Sequence, residues 1–209
     1  MVKNLFKKVK TWCVDKYTTT KEKLVKLWND YKTGENDARS RFNKTVIYIY
    51  EHSLEFGAHG LVINKPANKM SFNDILTQLK IDPIDTSKTH VPQILLGGPD
   101  QITHGFILHS DDYFRPETCF IENNIALTST QDILEDIAAG NGPNQSLIAL
   151  GCASWIRGQL EDEIMSNVWL TVPADPNLLF QTPFSNRWEK AIEGLGINHF
   201  YLTNISGKA

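Results

Sequence analysis

The stretch LIALGCASWIRGQLEDEIMSNVWL, residues 147–170, holds the densest set of groups suited to covalent or acid–base chemistry. An apolar run reaches Gly151-Cys152-Ala153-Ser154-Trp155, and helical periodicity begins a few residues later. A thiol at a strand-to-helix turn becomes a nucleophile when a helix N-terminus or an imidazole lowers its pKa. A helix beginning near Gly158 would supply the first influence, and His109 or His52 the second. The string matches neither a G-x-S-x-G elbow nor a C-G-[SA]-C-[WY] signature. A cysteine closing an apolar strand is more often a small buried hydrophobe. The neighbouring Glu161, Asp162 and Glu163 offer paired carboxylates, but they fall in the first turn of the expected helix. Exposed amides and the macrodipole favour negative charge there, so capping accounts for all three without catalysis.

Other candidates are weaker still. Gly97-Gly98-Pro99 follows the apolar ILL and would let a backbone approach a ligand, yet it lacks the Lys-Ser/Thr sequel of a phosphate loop. A tight turn after a strand is the simpler role. The six histidines form no H-E-x-x-H or similar set, and His104 and His109 would face opposite sides of a strand. No metal site and no cofactor is expected. Cys13, Cys119 and Cys152 are scattered and cannot all pair, which fits a reducing cytoplasm better than a disulfide framework.

The elements that must position these groups are short and mixed. Residues 2–17 place Val2, Leu5, Phe6, Val9, Trp12 and Cys13 at helical spacing between lysines. Thr19-Thr20-Lys21-Glu22 resembles a capping box for a second helix carrying Leu24, Leu27, Trp28 and Tyr31. GENDARSR, 34–41, reads as a polar linker. Strands are expected in KTVIYIYEH, GLVIN, PQILLGG, THGFILHS, TCFIE, NIALT, SLIALG and WLTVP. Helices are expected from Ser71, over about 130–139 with Thr128, Ser129 or Thr130 as cap and Gly140 as stop, over GQLEDEIMSNV, and from Ser185. Strands cluster early and alternate with helices late, the pattern of an α+β domain. The chain thus divides into a basic amphipathic helical arm with linker, 1–41, and a domain, 42–209.

Charge follows that division. Residues 1–41 hold 11 Lys+Arg against 5 Asp+Glu, and the rest hold 10 against 19. A body of that sign repels phosphate backbones, so direct nucleic-acid binding is not expected. No stretch is long and apolar enough to cross a membrane. The arm suits either docking on the body or a partner, or peripheral contact with an anionic membrane surface through 1–33.

Several stretches together resemble the bacterial AlgH/YqgE family: VIYIYEH (46–52), GAHGLVINKP (57–66), Gly97-Gly98-Pro99, GFILH (105–109), ALGCASWIRGQLEDEIMSNVWL (149–170), PADPNLLF (173–180) and Arg187-Trp188 with Leu195-Gly196. The resemblance implies an α+β fold with mixed sheets curled into a partly closed pseudo-barrel and helices outside. It implies no agreed activity, although one relative's name has led to transcriptional-regulator labels. Relatives resemble LGYAGW where this chain has Cys152, which implies an architectural role for that position. They also begin with a short strand where this chain has its basic arm.

The resulting expectation is a cytoplasmic, non-catalytic binding or regulatory protein with a protein or small-molecule partner. Its candidate surface comprises His52, Asn64, Gly97, Gly98, His109, Trp155, Gln159, Glu163 and Arg187. The alternatives are a hydrolase- or transferase-type enzyme with His52 or His109 as base, and a membrane-surface protein anchored by the arm. Catalysis requires the histidine to meet a second titratable group in a concave site.

Overall fold

The computed structural model describes residues 24–28, 44–82 and 91–196. The β-branched and aromatic run VIYIYEHS forms β2, Val46–Ser53, which turns back as β3, Gly57–Val62. The turn works because Gly57 has φ +92° and lies flat against the Trp155 carbonyl, where a Cβ would sit 2.1 Å from the oxygen. Ser71 opens α1, Phe72–Leu79, through a capping box closed by Asp74. Then follow β4 (Gln93–Leu96), β5 (Asp100–Ser110), β6 (Cys119–Phe120) and β7 (Ile125–Thr128). Next come α2 (Asp132–Ala139), β8 (Ser146–Trp155), α3 (Gln159–Met165) and β9 (Trp169–Pro173). A π-helical turn, Asn177–Gln181, and a 3-10 turn, Phe184–Asn186, lead into α4, Arg187–Gly194.

With Leu24–Trp28 as β1, the strands run β6-β7-β5-β8-β3-β2-β1-β9 across one curled sheet, with β4 parallel to β8. Strand β8 organises it. Its first half pairs with β5 through Ser146–Leu150, and its last residues, Ala153–Trp155, pair with β3. Period-two alternation then divides the side chains between two buried faces. Val46 and Tyr48 of β2, Phe106 and Leu108 of β5, and Leu147 and Ala149 of β8 fill the concave core, closed by Leu178, Leu179, Trp188 and Ile192. Their neighbours point outward. Ile107 and Ile148 pack under α1 and α2, while Ile47, Ile49, Ala153 and Trp155 pack under α3. The expected α+β pseudo-barrel with outer helices is the observed architecture.

Local expectations need correction. Leu24–Trp28 is a strand, β1, not part of a helix. It lies antiparallel between β2 and β9, pairing Leu27 with Val46 and Leu24–Trp28 with Trp169–Pro173. Two neighbouring strand edges outweigh a helical apolar spacing, because each offers backbone partners that an isolated helix lacks. The rest of the expected arm lies outside the described residues. Helix α2 has Gln131 at its N-cap without a side-chain cap, and α4 has Asn186 there rather than Ser185. Gly140 ends α2 in the left-handed conformation as expected. Finally, β8 does not stop at Gly151. It continues through Cys152 to Trp155.

Gly97, Gly98 and Gly151 allow that continuation. A Cβ on Gly97 would meet the Gly151 carbonyl oxygen at 2.2 Å, and one on Gly98 would meet the Cys152 carbonyl at the same distance. Gly97 also donates to Leu150 and accepts from Val62, both at 2.7 Å. The GGP segment is therefore more than a tight turn: it is a backbone crossing at which β8 passes from one half of the sheet to the other.

Candidate functional site

Cys152 sits in the middle of a strand with no exposed surface. Burial pushes its thiol pKa up; the Ser154 hydroxyl, 3.8 Å from Sγ, pulls the other way as the smaller influence. Tyr50 lies against it, and burial likewise raises the phenol far above its ordinary value. An activated thiolate needs the opposite environment. This cysteine is core. Cys119, by contrast, is disulfide-bonded.

The carboxylates of α3 carry more than a capping role. Glu163 Oε2 accepts from two indole N–H groups, Trp155 at 2.8 Å and Trp169 at 2.6 Å. Its Oε1 accepts from the Gln159 amide at 2.9 Å. Both tryptophans are buried and meet edge to face, with centroids 6.0 Å apart. One carboxylate thus ties α3 to the ends of β8 and β9, and Gln159 closes the turn by accepting from the Ile156 amide at 3.2 Å. Burying two indoles requires such an acceptor. A second tie joins His52 Nε2 at the end of β2 to Glu161 Oε1. Both groups are half-buried, so the pair is partly shielded from solvent.

Around these ties the surface is apolar. Leu54 and Phe56 in the β2–β3 turn are 75% and 44% exposed, Ile156 before α3 is 75% exposed, and Met165 at its end is 74% exposed. The contact of Gly57 with Trp155–Arg157 brings the turn against Ile156. Glu161 and Met165, four residues apart, share one face of α3. An open cavity of about 370 Å³ lies alongside, lined by Ile156, Arg157, Gln159, Asp162, Glu163, Ser166 and Val168.

Of the nine expected residues, His52, Trp155, Gln159 and Glu163 come together here. The other five do not. His109 is fully buried near the opposite end of β8, where it pairs with Ser146 while His52 pairs with Ala58 opposite Trp155. Nine residue steps of β8 separate the two registers, on the order of 30 Å of strand. His109 Nδ1 faces the Ser110 carbonyl at 2.8 Å and must donate to it, so Nε2 accepts from the Thr128 hydroxyl at 2.9 Å. Burial keeps this ring neutral by lowering its pKa. Asn64 bridges the Lys44 carbonyl and the Val46 amide, at 2.7 and 2.8 Å. Arg187, 1% exposed, donates to the Ile63 and Thr182 carbonyls, and burial lowers its pKa to about 10. Gly97 and Gly98 form the crossing.

Sequence reasoning missed Glu161 as the partner of His52, Trp169 as the second indole, and the exposed Leu54, Phe56, Ile156 and Met165. The SLEFG turn carried one legible signal: two large apolar residues in a turn with no helical or strand face to bury them. Among the described residues no group of three or more His, Cys, Asp or Glu could hold a metal ion.

Comparison with known proteins places the chain in a family. Residues 34–200 match the AlgH-like (DUF179) family model. The chain belongs to the AlgH-like family. A UPF0301 protein of Beijerinckia indica is 42% identical over 180 residues, covering 83% of this chain and 87% of its own length. The UPF0301 protein YqgE of Escherichia coli O1:K1 is 39% identical over 170 residues, covering 80% and 90%. The solution structure of AlgH from Pseudomonas aeruginosa superposes with a TM-score of 0.72 at 37% identity, over 93% of this chain and all of that one. A protein from Corynebacterium diphtheriae, 17% identical with a TM-score of 0.58, shares the fold. The AlgH-like match begins after β1, so the strand between β2 and β9 is supplied here by a segment that the family model does not include.

Proposed function

We propose that this AlgH-like chain is a non-catalytic binding or regulatory protein whose partner, a protein, docks on the α3 end of the sheet. The observation that carries this reading is the set of four large apolar side chains, Leu54, Phe56, Ile156 and Met165, held in solvent around a partly shielded His52–Glu161 pair. Rigidly presented apolar groups with a polar border mark interaction surfaces. The Glu163–indole ties provide the rigidity. The acidic body favours a protein over a nucleic acid as partner, and any regulatory action runs through that partner. A photo-crosslinking residue in place of Ile156, introduced in cells, is expected to yield a discrete protein adduct. The same residue at the exposed Phe114, beyond the other end of β8, is expected to yield none. Equal labelling at both positions, or none at Ile156, overturns the reading.

The His52–Glu161 pair favours one second reading, in which the imidazole is a base oriented by its carboxylate. Under it, a His52→Gln chain that folds and still crosslinks at Ile156 fails to complement a null strain. Under the binding reading that chain complements. A cytoplasmic location belongs to the same proposal, and recovery of the chain outside the cytoplasmic fraction on cell fractionation would remove it. No helix among the described residues is long and apolar enough to cross a membrane. The basic arm as a membrane-surface anchor is excluded if a chain starting at Leu24, which keeps strand β1, pellets with anionic liposomes as well as the full chain does.

A further inference from the structure

Resting on the binding reading above, we propose that the partner docked at the α3 end presents a basic amphipathic segment, in which large apolar side chains alternate with lysine or arginine. One of those cationic side chains enters the cavity beside α3. The charges around Leu54, Phe56, Ile156 and Met165 point to this occupant. Residues 51–57 and 154–168, which carry all four, hold Glu51, Glu55, Glu161, Asp162 and Glu163 against a single cation, Arg157. An apolar surface bordered by that sign repels anionic lipid headgroups and phosphate backbones alike. It takes a cationic protein segment instead, and the four apolar groups require apolar atoms from the same segment.

The five carboxylates differ in what they already serve. Glu163 accepts from two indoles and the Gln159 amide, Glu161 holds His52, and Glu51 faces His59 at 3.5 Å. Glu55 and Asp162 are exposed, and among the described residues neither side chain has a hydrogen bond or an ion pair. These two are free to meet a partner's cations, and both stand beside the apolar groups. Glu55 lies between Leu54 and Phe56 in the β2–β3 turn, which Gly57 holds against Ile156. Asp162 lines the open cavity of about 370 Å³, together with Ile156 and Val168. Lysine and arginine lay their methylene stems on apolar surface and keep the charged head at its polar edge. Ile156 and Val168 offer that surface, and Asp162 offers the counter-charge. Arg157 lines the same cavity and offsets part of the negative charge, but Asp162 and Glu163 together leave the lining acidic.

The full-length chain with the photo-crosslinking residue in place of Ile156 supplies the test. Adducts formed in cells are digested with a glutamate-directed protease, so that lysines and arginines stay within the fragment, and the attached peptide is sequenced by mass spectrometry. The expected peptide comes from another protein, its Lys+Arg exceed its Asp+Glu, and large apolar residues recur between them. Glu55→Gln/Asp162→Asn keeps shape and removes both free charges. It is expected to lower the adduct yield severalfold at equal levels of folded chain. Glu117→Gln/Asp132→Asn removes two exposed carboxylates outside residues 51–57 and 154–168, and is expected to leave the yield unchanged. A neutral or acidic attached peptide overturns the basic segment while the docking surface stands. So does a yield that Glu55→Gln/Asp162→Asn leaves intact, or that both double variants lower equally. An attached peptide from residues 1–23 of this chain overturns the separate partner and makes the basic arm the occupant. Absence of any adduct at Ile156 removes the docking surface and this inference together.

Discussion

The two ends of β8 use polar residues in opposite ways. At the Ser146 end, His109 spends both ring nitrogens inside the protein, on the Ser110 carbonyl and the Thr128 hydroxyl, and has no exposed surface. At the Trp155 end, the His52–Glu161 pair and the Glu163–indole ties hold a helix whose flanks remain apolar and exposed. Both ends present a histidine among strand residues. The difference lies in what the second element brings: a carbonyl and a hydroxyl that saturate the ring, or a carboxylate on a helix at the surface. A polar residue in an apolar run declares that it needs a partner, and only the partner decides whether capacity remains for another molecule.

The crossing at Gly98 is what lets β8 serve both ends. Gly98→Ala places a methyl group 2.2 Å from the Cys152 carbonyl carbon and oxygen, against backbone that cannot step aside. The expected outcome is a chain that does not fold, or one destabilised by on the order of 4 kcal/mol or more, measured by urea denaturation. A near-neutral result would mean that the two halves of the sheet do not meet through this contact.

Arg187→Met tests the interior logic with a smaller effect. The guanidinium serves the Ile63 and Thr182 carbonyls from a site 1% exposed, joining the end of β3 to the start of α4. Methionine fills the volume and leaves both carbonyls without that donor. A loss of about 3 kcal/mol is expected, seen as a lowered urea midpoint with an unchanged slope. A stabilised variant would show that the buried cation costs more than its hydrogen bonds return.

Legibility in the sequence follows the same division. Strand and helix positions in 44–196 were readable because apolar alternation and helical spacing are local properties. Helix α1 with its Ser71 cap and the Gly140 stop followed directly from them. Strand β1 was not readable, since LVKLW inside a lysine-rich run satisfies helical spacing and becomes a strand only where β2 and β9 leave a gap. The site was half readable. Trp155, Gln159 and Glu163 lie within nine residues on a strand end and a helix, so their meeting is nearly local. The pairing of His52 with Glu161 spans 109 residues, and no single-sequence pattern encodes it. Asn64 and Arg187 looked like surface groups because nothing local shows that the strands and helices around them leave carbonyls and amides to be satisfied.

Burial lowers the pKa of His109, so the unfolded chain binds a proton that the folded chain resists between the folded value and the ordinary one near 6.5. In that window the unfolded state holds more protons, and stability therefore rises with pH. The urea midpoint is expected to fall as pH drops from 7.5 to 5, and His109→Gln, which titrates nowhere in that range, should flatten the decline while lowering the midpoint at pH 7.5 through lost packing. Asp74 cannot mimic this slope. Its carboxyl, held below the usual range by the Ser71 hydroxyl and amide, releases its contribution only in more acidic solution. If the His109→Gln chain keeps the wild-type slope from pH 7.5 to 5, the proton responsible sits elsewhere, and the Ser146 end of β8 is not the closed, saturated interior that sets it apart from the α3 end.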